Sequence, residues 1–286
     1  AKFAELFNFA TVPFYWAFLE PVEGQPDYAL TDAMAQWCDA NGIAMKGHAV
    51  LYGDEQMIPD WADGAPSTAE QLAHMEEVLA RYPQIDTWDL VNEPFNAPGM
   101  DWAAAYRRAD ALRPADNLVI NSYGQFYNGW TVFYANAHQE FHAWLDQEVL
   151  GAGVPFDTVG IQAHAPLDTA FPLELVQAHI DHYAALGKRI HLTEFMPTSS
   201  GAPVQGAPWR STWTEAEQAA YADAFYRVAF AHPAVDALTW WDVCDTGAWL
   251  PSGGLLRANL TEKPVYTALK RLITDEWHTA EQGTTQ

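Results

Sequence analysis

Basic residues are scarce: 14 Lys and Arg stand against 37 Asp and Glu, a formal net charge of −23. A nucleic-acid partner needs a basic patch, so that class is excluded. The same deficit argues against an anionic membrane or a polyanionic substrate held by bulk charge. The acidic excess reads as a solubilising surface. Cysteine is nearly absent. Cys38 and Cys244 do not make a disulfide framework and are expected as buried free thiols. No apolar run approaches the roughly 20 residues of a membrane span. No G-x-G-x-x-G follows a strand, and no P-loop lysine motif or zinc-type cysteine spacing exists. No set of histidines and acids sits on strand ends with ligand spacing, so neither a catalytic metal nor a cofactor is expected. No signal peptide opens the chain at Ala1, but a mature or trimmed protein would not carry one. The expectation is a secreted or periplasmic monomer.

What is abundant is apolar and aromatic. Hydrophobic residues make up 49% of 286, enough for a large core in one catalytic domain over 1–286, since α/β barrels run this long as single domains. There are 13 Trp, 12 Tyr and 14 Phe, some of which belong to the core. Flat rings suit stacking on the C–H faces of a neutral sugar.

Short apolar segments alternate with helical ones. Strand candidates are Phe7–Phe14, Ala44–Tyr52, Thr87–Glu93, Asn117–Gly124, Thr158–His164, Arg189–Met196 and Ala237–Asp245. Helical patterns cover Thr31–Asn41, Thr68–Tyr82, Trp102–Leu112, Thr131–Leu150, Pro172–Leu186, Thr214–Ala231 and Pro264–Asp275. Strands this continuously apolar suit a parallel sheet covered by helices. The alternation predicts a (β/α)8 barrel. Seven strands are found where eight are wanted. The first strand is missing from the sequence, and the opening AKFAELF reads as the tail of a helix, which favours N-terminal trimming over an incomplete barrel.

Polar residues collect at the C-terminal ends of these strands: His48 and Tyr52, Asn92 and Glu93, Asn121 and Tyr123, Gln162 and His164, Glu194, Trp241 and Asp245. That face carries the active site in such barrels. TWDLVNEP (Thr87–Pro94) and RIHLTEFMP (Arg189–Pro197) share one plan, an apolar strand that ends in a glutamate and is stopped by proline. Two carboxyls on separate strand ends suit glycoside hydrolysis, in which one is an acid and the other a nucleophile or base. The six histidines on helices and loops, His74 and His179 among them, are expected at the surface. Trp240, alternating with Trp241, is assigned to the core. GWTVF and APWRSTW have the look of cleft-lining loops.

At these residues the chain resembles the family 10 glycoside hydrolases, the endo-β-1,4-xylanase family. TWDLVNEP is similar to the family's acid/base motif and HLTEF to its nucleophile motif. KGHAVLY with IPDW, INSYG, GIQAHAP and TWWDVCDTGAW resemble the other strands in order, so the likeness runs from about Phe7 to Leu272. The resemblance implies Glu93 as general acid/base and Glu194 as nucleophile. Asn92 would hold the 2-hydroxyl of the sugar being cleaved, His164 would orient Glu194, and Gln162 and His48 would touch the same sugar. Trp241 and Trp249 would wall the donor subsites. Tyr52, Tyr123, Tyr15 and Trp16 complete the expected substrate-binding set. The implied reaction is cleavage of a β-1,4-linked polysaccharide, most naturally xylan, with retention of configuration.

The pattern also departs from the family. Val12 and Tyr15 stand where typical members carry an Asn and a Lys for the donor sugars. Tyr52-Gly53 replaces a Trp-His end, and Met196 replaces an Asp. Ser122, Tyr123 and Gly124 replace an Asp-Tyr-Asn. Three alternatives stay open: the same mechanism on another or decorated β-glycan, a carbohydrate-binding relative with weakened catalysis, and a fragment that does not fold alone.

Overall fold

Near-continuous apolar segments become buried parallel strands. The computed structural model describes residues 2–63, 66–97, 99–123, 137–164, 169–205 and 210–278. The elements run β1 (Phe9–Pro13), α1 (Trp16–Leu19), α2 (Ala29–Ala40), β2 (Ala44–Tyr52), α3 (Thr68–Arg81), β3 (Thr87–Asn92), α4 (Trp102–Leu112), β4 (Asn117–Ser122), α5 (Ala137–Trp144), β5 (Thr158–Ile161), α6 (Leu173–Ala184), β6 (Arg189–Phe195), α7 (Glu215–Ala231), β7 (Val235–Trp240) and α8 (Pro264–Lys270). α5 and α8 each continue into a wider π-helical segment, over Leu145–Leu150 and Arg271–Glu276.

Local chemistry sets the helix starts. Ser67 and Glu70 form a reciprocal capping box on α3, and the side chains of Asp101 and Thr214 accept backbone N–H groups at the starts of α4 and α7. Pro264 opens α8, where its missing N–H costs nothing.

The seven strands of the described residues are all parallel and lie in chain order from β1 to β7, the expected barrel architecture. Every residue of β3 is buried, since helices cover one face and the barrel interior the other. Gly47 on β2 is forced by packing: a Cβ there would lie 2.2 Å from the fully buried Trp88 ring. Among the described residues β1 pairs only with β2, and β7 only with β6. Their unpaired edges face each other across a cavity of about 250 Å³ lined by Thr11, Pro13, Thr239 and Trp240. This is the interval where an eighth strand was expected.

Several boundaries differ from the sequence pattern. β1 begins at Phe9 because a helical turn holds the preceding residues, with Phe7 N–H donating to Phe3 O at 2.9 Å. β5 ends at Ile161 because the chain turns at Ala163, whose φ is 56°. β7 stops at Trp240, so Trp241 and Asp245 lie on the following loop. His74 and His179 are buried, contrary to the surface expectation, because they lie on the inner faces of α3 and α6. Burial pushes His74 down to about 3. Cys38 is buried and Cys244 half-buried, both free. Trp240 is in the core as expected. GWTVF, Gly124, residues 131–136 of the expected helix and residues 207–209 of APWRSTW lie outside the described residues. Trp213, at the end of APWRSTW, is fully buried and does not line the cleft.

Candidate active site

In a regular strand, neighbouring side chains point to opposite faces. Asn92 and Glu93 are neighbours, yet both line one cleft. The cause is Glu93's backbone, which sits in the left-handed region at φ 51°, ψ 49°, between the last residue of β3 and the turn that starts at Pro94. A non-glycine residue held there stores strain, and such strain concentrates at functional sites. The proline stop read from the sequence is thus part of the device that turns Glu93 inward.

Glu194 arrives differently. Between Leu192 and Phe195, β6 advances three residues while β7 advances two, so an extra residue is accommodated around Glu194. A similar irregularity lies in β2 between His48 and Leu51, beside β3. It precedes Tyr52, which then pairs with Asn92.

Glu194 is buried, and each of its carboxyl oxygens has a donor. Asn121 Nδ2 donates to Oε1 at 2.8 Å, and His164 Nε2 lies 2.8 Å from Oε2. Asn121 is itself fixed: Thr193 Oγ1 donates to its Oδ1 at 2.7 Å, and its Nδ2 also reaches Asn92 Oδ1 at 3.3 Å. Gly160 on β5 makes room for it, since a Cβ there would lie 2.9 Å from the Asn121 Cα. Burial pushes the Glu194 carboxyl up. The His164 hydrogen bond and the charges of His164 and Lys46 outweigh that and hold it below the usual glutamate range.

Glu93 is shifted the other way. Burial raises its carboxyl, and the charges of Glu194 and Asp89 add to that. Gln162 Nε2, donating to Oε1 at 2.7 Å, and Tyr52 Oη, donating to Oε2 at 3.3 Å, oppose the rise without cancelling it. Two carboxyls in one cleft are therefore driven apart, one toward the charged form and one toward the neutral form. That is how environment assigns base and acid roles to like groups.

The cleft, about 550 Å³, gathers Tyr15, His48, Tyr52, Asn92, Glu93, Tyr123, Gln162, His164, Glu194, Trp241 and Trp249. Asp54, Gln56 and Met57 join from the loop after β2, and the sequence did not single them out. Trp241 stands edge-on to both His48, at 5.3 Å between ring centroids, and His164, at 5.8 Å. Trp249 lies 4.5 Å from the His164 ring and is 60% exposed, an aromatic face open to solvent. Asn96 Nδ2 holds the Tyr123 hydroxyl at 3.2 Å.

Trp16 does not reach the cleft. It is buried, stacks on His74 at 4.4 Å and donates from Nε1 to Glu20. Tyr15 and Trp16 are adjacent, and only Tyr15 faces the site. Asp245 turns away to pair with buried Lys263 at 2.7 Å. Val12 is a core residue. Sequence reasoning missed two positioning groups. One is Asn121, noted at a strand end without a role. The other is Asp89, fully buried within TWDLVNEP, whose Oδ2 lies 2.7 Å from His48 Nδ1. The single signal for Asp89 was a carboxylate in the middle of an apolar strand. No group of three or more His, Cys, Asp or Glu able to hold a metal ion occurs among the described residues.

Comparison with known proteins follows from this geometry. The sequence model described as Glycosyl hydrolase family 10 matches residues 13–272. Endo-1,4-beta-xylanase C of Paenibacillus barcinonensis is 26% identical over 300 residues, covering 88% of this chain and 27% of the relative. Endo-1,4-beta-xylanase A of Phanerodontia chrysosporium is 26% identical over 262 residues, covering 83% of this chain and 58% of the relative. The chain thus spans little more than a quarter of the first relative and somewhat over half of the second. Among solved structures, an intracellular xylanase of Thermoanaerobacterium saccharolyticum, a mutant in complex with xylotetraose, superposes with a TM-score of 0.74 at 23% identity, covering 94% of this chain and 89% of that one. Native xylanase 10B from Thermotoga maritima gives 0.74 at 22% identity, covering 94% and 87%. At such identities the likeness concerns the fold.

Proposed function

This chain belongs to glycosyl hydrolase family 10, and from that premise we propose that it is a retaining glycoside hydrolase that cleaves a β-1,4-linked polysaccharide, xylan first among them. The observation that carries the reading is the opposed setting of the two glutamates, Glu194 pushed toward its charged form and Glu93 toward its neutral form.

Glu194 attacks the anomeric carbon while Glu93 gives its proton to the departing glycosidic oxygen. The bond to the leaving sugar breaks as the bond to Glu194 forms. Glu93, now a carboxylate, takes a proton from water, and the hydroxide displaces Glu194 with a second inversion. Asn121 and His164 keep Glu194 charged and aimed. Asn92 has its amide oxygen engaged by Asn121, which leaves its nitrogen to donate to the 2-hydroxyl of the reacting sugar. Trp241 and Trp249 offer ring faces to further sugars. A polymer too large to enter a cell is best met outside it, so the reading includes a secreted or periplasmic location.

A second reading keeps the mechanism and changes the substrate to another β-glycan. It is favoured by one observation, Tyr15 and its hydrogen bond to His48 in the cleft, at a place where the family resemblance leads one to expect a lysine. A panel of β-linked polysaccharides with product analysis decides between them. Release of xylo-oligosaccharides from xylan, faster than from any β-glucan or mannan, supports the first reading. A preference for another polymer supports the second. No turnover of any of them refutes both. Glu194→Ala must abolish turnover.

A further inference from the structure

Tyr15 is held from every side. Its carbonyl accepts from Phe18 N at 3.0 Å and Leu19 N at 3.1 Å, and the preceding Phe14 N–H donates to His48 O at 2.8 Å. Its ring stands edge-on to His48, at 5.6 Å and 82°, and to Phe18, at 6.0 Å and 90°. A group so fixed loses little further entropy when it meets a ligand.

The hydroxyl ends a buried line of hydrogen bonds. Asp89 Oδ2 lies 2.7 Å from His48 Nδ1, and His48 Nε2 lies 3.1 Å from Tyr15 Oη. Asp89 is fully buried and His48 is 2% exposed. A carboxylate only accepts, so the Nδ1 proton points at Asp89 and fixes the tautomer. In the neutral ring Nε2 is then the acceptor and takes the Tyr15 proton. Both nitrogens of His48 are engaged, and neither is left for a sugar. Tyr15 Oη keeps its lone pairs for the cleft, and its proton is committed. Burial, then the charges of Glu194, Asp89 and Glu93, push this hydroxyl well above the ordinary tyrosine range, so the proton stays.

We infer that Tyr15, rather than His48, is the polar group that reads the donor sugar, and that it reads it as a hydrogen-bond acceptor. The selected substrate is a neutral glycoside whose hydroxyl at that place is free. One capped there by an acyl or alkyl group is rejected, because it brings no proton and crowds an immobile ring. This rests on the proposed hydrolase reading.

The test measures kcat/KM of the full chain and of Tyr15→Phe on an aryl β-xylobioside and an aryl β-cellobioside. It adds derivatives of the better of the two in which each donor-sugar hydroxyl in turn is replaced by hydrogen, fluorine or methoxyl. At one position other than the 2-position, where Asn92 acts and fluorine slows the reaction itself, the unaltered chain should lose roughly 3- to 10-fold with hydrogen and with fluorine, the worth of one hydrogen bond, and more with methoxyl. Tyr15→Phe should lose a similar factor on the parent substrate and show no further penalty for hydrogen or fluorine there. The unaltered chain's own series decides the direction even if the variant folds poorly. Fluorine tolerated as well as hydroxyl, or Tyr15→Phe equal to the unaltered chain on the parent, overturns the inference alone. No turnover of either parent glycoside by the unaltered chain overturns the hydrolase reading and this inference together.

Discussion

Asn121 Nδ2 lies 2.8 Å from Glu194 Oε1, so the buried carboxylate is held by an amide as well as by His164. A hydrogen bond to a charged group is worth about 1.5–3 kcal/mol. Asn121→Ala should therefore lower kcat by roughly 10- to 150-fold, that range converted to a rate. With a donor gone, the Glu194 carboxyl rises, and the acid limb of the kcat/KM profile should move to higher pH. A rate loss with an unmoved acid limb would assign Asn121 to packing alone.

The two glutamates predict a bell-shaped dependence of kcat/KM on pH. Glu194 must be charged, and its carboxyl is held low, so the acid limb should fall below the ordinary glutamate value. Glu93 must be protonated, and its carboxyl is held high, so the alkaline limb should fall above it. Glu93→Gln should cost roughly 10²- to 10⁴-fold in kcat and abolish the alkaline limb.

Tyr52 donates to Glu93 Oε2 and opposes the rise of its carboxyl. Tyr52→Phe removes a donor that favours the charged form. The alkaline limb should then move to higher pH while the acid limb stays. Movement of the alkaline limb to lower pH would contradict the assigned direction of that bond.

Trp16 is a core residue next to a cleft residue. Trp16→Ala should destabilise by about 3–5 kcal/mol, the usual cost of emptying a large aromatic site. KM of the remaining folded enzyme should change little. Urea unfolding and steady-state kinetics separate the two effects, and a large rise in KM without loss of stability would return Trp16 to the cleft.

Gly47 has no room for a side chain. Gly47→Ala drives a methyl into the Trp88 ring and should cost about 1–3 kcal/mol through overpacking, read as a lower urea midpoint.

Much of this was legible in the sequence for a physical reason. A glutamate at the end of an apolar strand that a proline stops, at once after Glu93 and three residues on from Glu194, has no structural use, so both announced themselves. The parallel sheet was legible because strands covered on both faces carry unbroken apolar runs. Asn121 and Asp89 were not legible as positioning groups. Each acts through one partner on another strand, Glu194 and His48, and that pairing exists only once the strands are in register. Tyr15 and Trp16 are adjacent in the chain, and which of them faces the cleft was decided by the turn into α1. His74 is buried on the inner face of α3, where it stacks on Trp16 across more than fifty residues of chain, a contact the local sequence does not announce.

The central claim is that Glu194 forms a bond to the sugar. A fluorinated β-xylobioside or β-cellobioside carrying a dinitrophenyl leaving group, chosen to match the preferred polymer, slows the second step and traps that bond. Intact-protein mass spectrometry should show one glycosyl unit added per chain, and peptide mapping should place it on Glu194. Release of the leaving group with no adduct at any time, or an adduct on another residue, would contradict the account.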